Sequence, residues 1–351
     1  MVRVIMGIAL LVSGAFANPV FDLAPAAGMP GQAIAGFTAA AARWSALLAD
    51  SVTVRVNIGF EPLGGSILGQ ASTTGVYSSY GNVRAALGWD AKSRDDAAAT
   101  GHLQSGSSVQ AMMNLTVENP NGSGSATPYL DDNGGDPDPN RYINNNYILM
   151  ARAQAAAMGF TVGAGDDGSI TFNSDFAFDF DPSNGITPGA YDFVGVATHE
   201  IGHVLGFLSG VNTLDSWAAR TGTAPHEGSM LFSALDLFRY SSSSYALAAL
   251  DWSADARAKY FSLDGGATAL AQFATGTYHG DGRQPSHWKD NLGIGVMDPT
   301  SAPGELLQIS ATDLRAMDVI GWDMAIPEPG TIGLCALGLC VAFLLIRRRA
   351  R

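Results

Sequence analysis

His199 and His203 stand four positions apart with Glu200 beside the first, inside the stretch THEIGHVLGF at 198–207. On a helix, side chains four apart project from one face, so two imidazoles in this spacing can share one metal ion. A carboxylate next to them reaches a water on that ion and can take its proton, the chemistry of hydrolysis. The helix needed to present them is predicted by periodicity. Val194, Ala197, Ile201, Val204, Leu205 and Leu208 recur at three- and four-residue steps and form an apolar face behind the two histidines.

This HExxH pattern is found on zinc metalloprotease helices, whose catalytic sites use three protein ligands and leave a position for water. Gly206 follows His203 by three residues, where a glycine lets the chain leave the helix abruptly, but the position that would continue the pattern with a histidine is Ser209. A serine hydroxyl is a poor zinc ligand, so either the site is damaged or the third ligand comes from farther along the chain. His287, in SHWKDNLGIGVMDPT, has the best context, and Asp236 in SALDLFRYS is the main competitor. His279 and Asp215 stay open beside them, whereas His102 and His226 have no matching surroundings.

Ten residues after His287 comes Met297, in a Val-Met-Asp-Pro turn. With that spacing the chain resembles the leishmanolysin-like metzincins, in which an insertion separates HExxHxxGF from a distant His-Trp and a Met-turn. The resemblance covers about residues 170–323, tightly at the two motifs, and carries over to His199, Glu200, His203, Gly206, His287 and Met297. It implies an α+β, zincin-like fold with two lobes around a zinc cleft, a mixed sheet and the active-site helix lying in the N-terminal lobe. It further implies Zn²⁺ on His199, His203 and His287, Glu200 as general base, Met297 as packing beneath the metal, and a peptide or protein substrate. The expected function is that of an exported zinc metalloendopeptidase. A non-catalytic surface or matrix-binding protein on the same scaffold, or a zinc hydrolase of a non-peptide amide, are the alternatives, and the presence of Glu200 favours turnover because zinc binding alone does not require it.

The two ends of the chain concern its address. Met1–Ala17 has one arginine, an apolar run from Val4 to Val12 and Ala15-Phe16-Ala17, the form of a secretory signal removed by signal peptidase. At the other end Pro327-Glu328-Pro329 precedes an apolar stretch from Thr331 to Ile346 and the arginines 347–349 and 351. These three parts resemble the PEP-CTERM sorting signal of Gram-negative bacteria, which implies processing by an exosortase. Before processing, the stretch is expected to anchor the chain in the inner membrane with its arginines cytoplasmic and the body outside.

Both cysteines, Cys335 and Cys340, lie in that stretch, so the body holds no disulfide and no thiolate to cap a metal. The formal charge is −13, and removal of both ends takes away five arginines and one glutamate, leaving about −17. So acidic a body argues against a nucleic-acid partner.

Residues 18–36, rich in Ala, Pro and Gly, read as a linker, 37–209 as the N-terminal catalytic lobe, 210–325 as the C-terminal lobe and 326–351 as the sorting tail. Within the lobes the pattern predicts a helix over 37–49, a strand over 52–58, a helix over 95–103, a strand over 107–117, a helix over 147–158 and a strand over 169–180; the metzincin resemblance implies that this last strand lies along the cleft. A last helix is expected over 309–320, capped by Ser310 or Thr312. The oxygens of DDNGGDPDP and of Asp179, Asp181 and Asn184 are of the kind Ca²⁺ takes. Neither register is that of an EF-hand loop, so solvated turns are the expectation for both.

Overall fold

The computed structural model describes residues 17–65, 67–131 and 143–325. Val20–Pro25 forms β1, Gly31–Ser45 α1 and Thr53–Glu61 β2. Strands β3 (Gly69–Thr73) and β4 (Gly75–Ser79) lead into helices α2 (Tyr80–Asp90) and α3 (Arg94–His102). Short strands β5 (Ala111–Met113) and β6 (Tyr129–Asp131) follow, then the one-turn α4 (Ile143–Asn146), β7 (Tyr147–Ala151), α5 (Arg152–Ala157) and β8 (Gly168–Asn173).

The main sheet has the order β1-β2-β8-β3, parallel from β1 to β8, with β3 antiparallel at the edge. In β2, alternation buries Val54, Val56 and Ile58 and turns Thr53, Arg55 and Asn57 outward. Over the buried side lies α1, whose Phe37, Ala40, Ala41 and Trp44 recur at helical steps. Smaller sheets join β4 and β7 to Phe232–Ser233, and β5 and β6 to Leu250–Asp251. Sheets that mix parallel and antiparallel pairs, with helices packed beside them, make this an α+β architecture. One apolar cluster runs from Ala33 to Trp322, so residues on both sides of position 209 share a core.

Several sequence-based expectations are corrected. Residues 18–36 contain β1 and the first turns of α1 rather than a linker, because Val20–Pro25 finds a parallel partner in β2. The segment 147–158 opens as β7, held between β4 and Phe232–Ser233, and turns helical only from Arg152. An apolar run this short satisfies either period, and strand pairing decided it. The strand expected over 107–117 is confined to Ala111–Met113.

The strand expected over 169–180 ends at Asn173, whose side-chain oxygen accepts from the backbone N–H of Leu63 and Asp175 and turns the chain. Its aromatics still serve one core: Phe172, Phe178 and Phe180 meet Phe193 at centroid distances of 4.7, 5.4 and 4.6 Å. The strand along the cleft is instead β3. Asp179 and Asp181 accept from the backbone N–H groups of Asp181 and Ser183 in a turn on the surface. Most of DDNGGDPDP lies outside the described residues.

Candidate metal centre

Phe193–Val204 forms α6, the helix that carries HExxH. Asp192 caps it, accepting from the backbone N–H of Gly195 at 2.8 Å and of Leu307 at 3.1 Å. Two buried tryptophans hold it from behind: Trp44 Nε1 donates to the Thr198 carbonyl and Trp322 Nε1 to the Leu205 carbonyl, both at 2.8 Å. At its end Gly206 takes φ +115°, and a Cβ there would lie 2.7 Å from Gln154 Oε1, so the exit turn requires glycine.

That turn has a chemical consequence. It delivers the Phe207 carbonyl to His203 Nδ1 at 2.8 Å, while His199 Nδ1 meets the Val296 carbonyl at 2.8 Å and His287 Nδ1 the Gln284 carbonyl at 3.1 Å. A carbonyl can only accept, so each imidazole carries its proton on Nδ1 and presents a lone pair on Nε2. The three Nε2 atoms converge, with separations of 3.1, 3.1 and 3.2 Å. Three lone pairs in such proximity cannot hydrogen-bond to one another. Around a zinc ion with nitrogens at about 2.0–2.1 Å, tetrahedral ligands stand roughly 3.3 Å apart, so the donor set fits such an ion in chemistry and in spacing. Burial lowers the pKa of all three imidazoles, that of His203 to about 3, and favours the neutral form a metal requires.

Glu200 is buried beside this cluster on the wall of an open cleft of about 1000 Å³. Burial pushes its carboxyl up to about 8, opposed by a hydrogen bond from the Ala71 backbone N–H. A dication next to it would act in the same direction as that N–H. Ala71 belongs to β3, the edge strand. The N–H groups of Asn173 and Thr74 donate to the carbonyls of Leu68 and Asp167 across the β3–β8 ladder. Alternation then leaves the backbone groups of Gly69, Ala71 and Thr73 turned to the cleft.

Met297 is fully buried beneath α6, and a Cβ on Gly202 would lie 2.5 Å from its sulfur. The glycine inside HEIGH is therefore a packing requirement. The Met297 turn hangs on Asp313, whose carboxylate accepts from Val296 N at 2.8 Å, Ser310 N at 2.7 Å and Trp288 Nε1 at 2.8 Å. Asp313 lies in the first turn of the closing helix Ala311–Val319, capped by Ser310 as expected. Sequence reasoning passed over Asp313 and β3. The capping pattern Ser-x-x-Asp at 310–313 was a visible signal for the first, whereas GQAST offered none for an edge strand.

The competing ligands lie elsewhere. Asp236 is buried and accepts from Ser209 Oγ at 2.6 Å, Gly210 N and Ser233 N at 2.8 Å and Trp252 Nε1 at 3.1 Å. It pins the chain that leaves α6, and the Ser209 hydroxyl that stands where a histidine would continue the pattern is one of its donors. Asp215 gathers the backbone N–H groups of Thr277, Tyr278 and His279 together with His279 Nδ1. His102 bonds to the Ala98 carbonyl and His226 to Glu118. Among the described residues, His199, His203 and His287 form the one group of three or more possible metal-ligating side chains.

Neither the comparison with curated proteins nor that with solved structures finds a match. No helix among the described residues is long and apolar enough to cross a membrane. Residues 1–16 of the segment expected to be a secretory signal and the apolar stretch from Thr331 to Ile346 lie outside them. The sequence model of the PEP-CTERM protein-sorting motif matches residues 325–349, which indicates export, processing by an exosortase and C-terminal sorting to the cell envelope.

Proposed function

We propose that the chain is an exported zinc-dependent metalloendopeptidase of the zincin kind, similar in its motifs to the leishmanolysin-like metzincins. The observation that carries this reading is the convergence of three Nδ1-protonated imidazoles, with Glu200 on the adjoining cleft wall. His199, His203 and His287 would hold the ion. Zinc so held supplies Lewis acidity, lowering the pKa of a water and polarising a peptide carbonyl.

The protein's own groups do the rest. Glu200 takes a proton from the attacking water on its carboxylate and returns it to the leaving amine. The outward backbone groups of β3, other than the Ala71 N–H that is given to Glu200, offer an extended peptide the hydrogen bonds of an antiparallel partner, holding the scissile bond beside Glu200. Leu149, Val196, Leu208, Leu231 and Leu307 give the cleft apolar wall for side chains on that peptide. The carbonyls that accept from the three Nδ1–H groups hold all three rings in place, so ligand geometry does not have to be organised at each turnover.

The test combines metal analysis of the purified chain with its incubation against a library of denatured proteins. The expected result is about one zinc per chain and internal peptide-bond cleavage abolished by chelation. A zinc-loaded chain that cleaves no peptide bond would support the matrix-binding alternative instead.

A further inference from the structure

The chain leaves the described body at Ala325, whose backbone N–H donates to the Leu47 carbonyl at 2.8 Å, while Met324 bridges to Leu48. The opposite end of the body lies against the same segment. Ser45 Oγ donates to the Pro19 carbonyl at 2.8 Å, and Val20 N to the Val52 carbonyl at 2.9 Å. The segments that follow the secretory signal and precede the sorting tail therefore emerge on one face, around residues 45–52.

Close to this face in the chain stands an unusual side chain. Trp89, in the last turn of α2, is 89 % exposed, whereas Trp44, Trp252, Trp288 and Trp322 are fully buried and Trp217 is partly so. Three residues on, the Lys92 ammonium contacts the Asp323 carboxylate, which places the end of α2 beside the exit of the tail. Val20, 63 % exposed, is a second apolar side chain at this end. The neighbouring carboxylates are engaged: Asp50 accepts from Asp323 N at 2.8 Å, and Asp96 from the backbone of Lys92 and Ser93 at 3.0 Å.

Five residues separate Ala325 from Thr331, the start of the apolar stretch, and the six steps between the two can span at most about 20 Å. With that stretch in a bilayer, the face at which the tail exits is held within about that distance of the lipid headgroups. We propose that this face, with Trp89 and Val20 at its surface, is a membrane-docking surface, occupied by the lipid of the inner membrane while the sorting tail is uncleaved. An indole suits that place because its apolar body and N–H match the boundary between acyl chains and water. None of these residues lines the cleft. The inference rests on the sorting tail and is independent of the metal chemistry.

The full chain, reconstituted in phosphatidylethanolamine–phosphatidylglycerol vesicles, tests this by flotation and by quenching of tryptophan emission with brominated lipid. Flotation is expected, with loss of most of the red-edge emission that an exposed indole contributes. Trp89→Phe should float equally and lose that quenching. Tyr278, 58 % exposed in a smaller pocket that shares Asn212, Thr213, Thr277 and Gln284 with the cleft, provides the control. The double variant Trp89→Phe, Tyr278→Trp should float with its new indole unquenched. Failure to float overturns the anchor on which the proposal stands. Flotation without quenching of Trp89, quenching that persists in Trp89→Phe, or equal quenching of an indole at 278 overturns the docking face.

Discussion

The Trp288 indole donates to the Asp313 carboxylate at 2.8 Å, which binds the residue after His287 to the same side chain that suspends the Met297 turn. Through it, the closing helix positions His287 and, by way of the Val296 carbonyl, the ring of His199. Asp313→Ala leaves buried N–H donors without partners, a loss of about 1–3 kcal/mol for each group left unsatisfied. The expected outcome is a lower urea midpoint together with faster zinc release, although no ligand is removed. Unchanged zinc release in a folded Asp313→Ala chain would separate this carboxylate from the centre.

Glu200→Gln keeps the shape of the side chain and all three imidazoles. Zinc content should therefore stay at the parental level while turnover falls roughly 100- to 10,000-fold, the usual contribution of a general base. Metal analysis and peptide cleavage measured on one preparation check this. Parental turnover in the variant would remove Glu200 from the mechanism.

Third-ligand assignment follows from two contrasting substitutions. His287→Ala takes away one of three Nε2 donors and should cost most of the bound metal on dialysis. Asp236→Asn should retain zinc but lower stability, since Asp236 answers Ser209, Gly210, Ser233 and Trp252 instead. If the Asp236 variant lost the metal and the His287 variant kept it, the ligand assignment would have to be exchanged.

Gly202→Ala drives a methyl group to 2.5 Å from the Met297 sulfur, which the turn cannot absorb without shifting. Overpacking of this sort costs about 1–3 kcal/mol. Met297→Ala opens space at the same point, so the double variant should recover part of the loss, and the coupling read from a double-mutant cycle is the measurement. Strict additivity would show that the two residues do not press on each other.

Asp50 is the site of a pH effect. Burial pushes its carboxyl up to about 7, with Asp323 and Asp90 adding to the shift while the Asp323 N–H and Lys92 oppose it. A folded-state value above the unfolded one means the native state holds the proton longer. The associated stability is fully present below about pH 4 and is lost as pH rises through about 7. Asp50→Asn removes this component, so its melting temperature should fall less than the parent's between pH 5 and 8 in a buffer series. Parallel curves would assign the effect to other groups.

Spacing along one helix was legible from sequence because a helix is a local object. His199, Glu200 and His203 are separated by little more than one turn, the apolar stripe behind them recurs every three or four residues, and periodicity alone places the three on α6 with Gly206 just beyond its end. The cap at Ser310 was legible for the same reason. Segments whose state depends on a partner were not: Val20–Pro25 and Tyr147–Ala151 are strands because β2, β4 and Phe232–Ser233 pair with them, and their compositions suit a linker or a helix equally. The approach of His287 to the helix, the hold of Asp313 on the Met297 turn and the placing of β3 beside Glu200 were decided by tertiary structure. Each joins groups far apart in sequence, whose closure entropy is met by the packing of the whole core, and no local pattern encodes that sum.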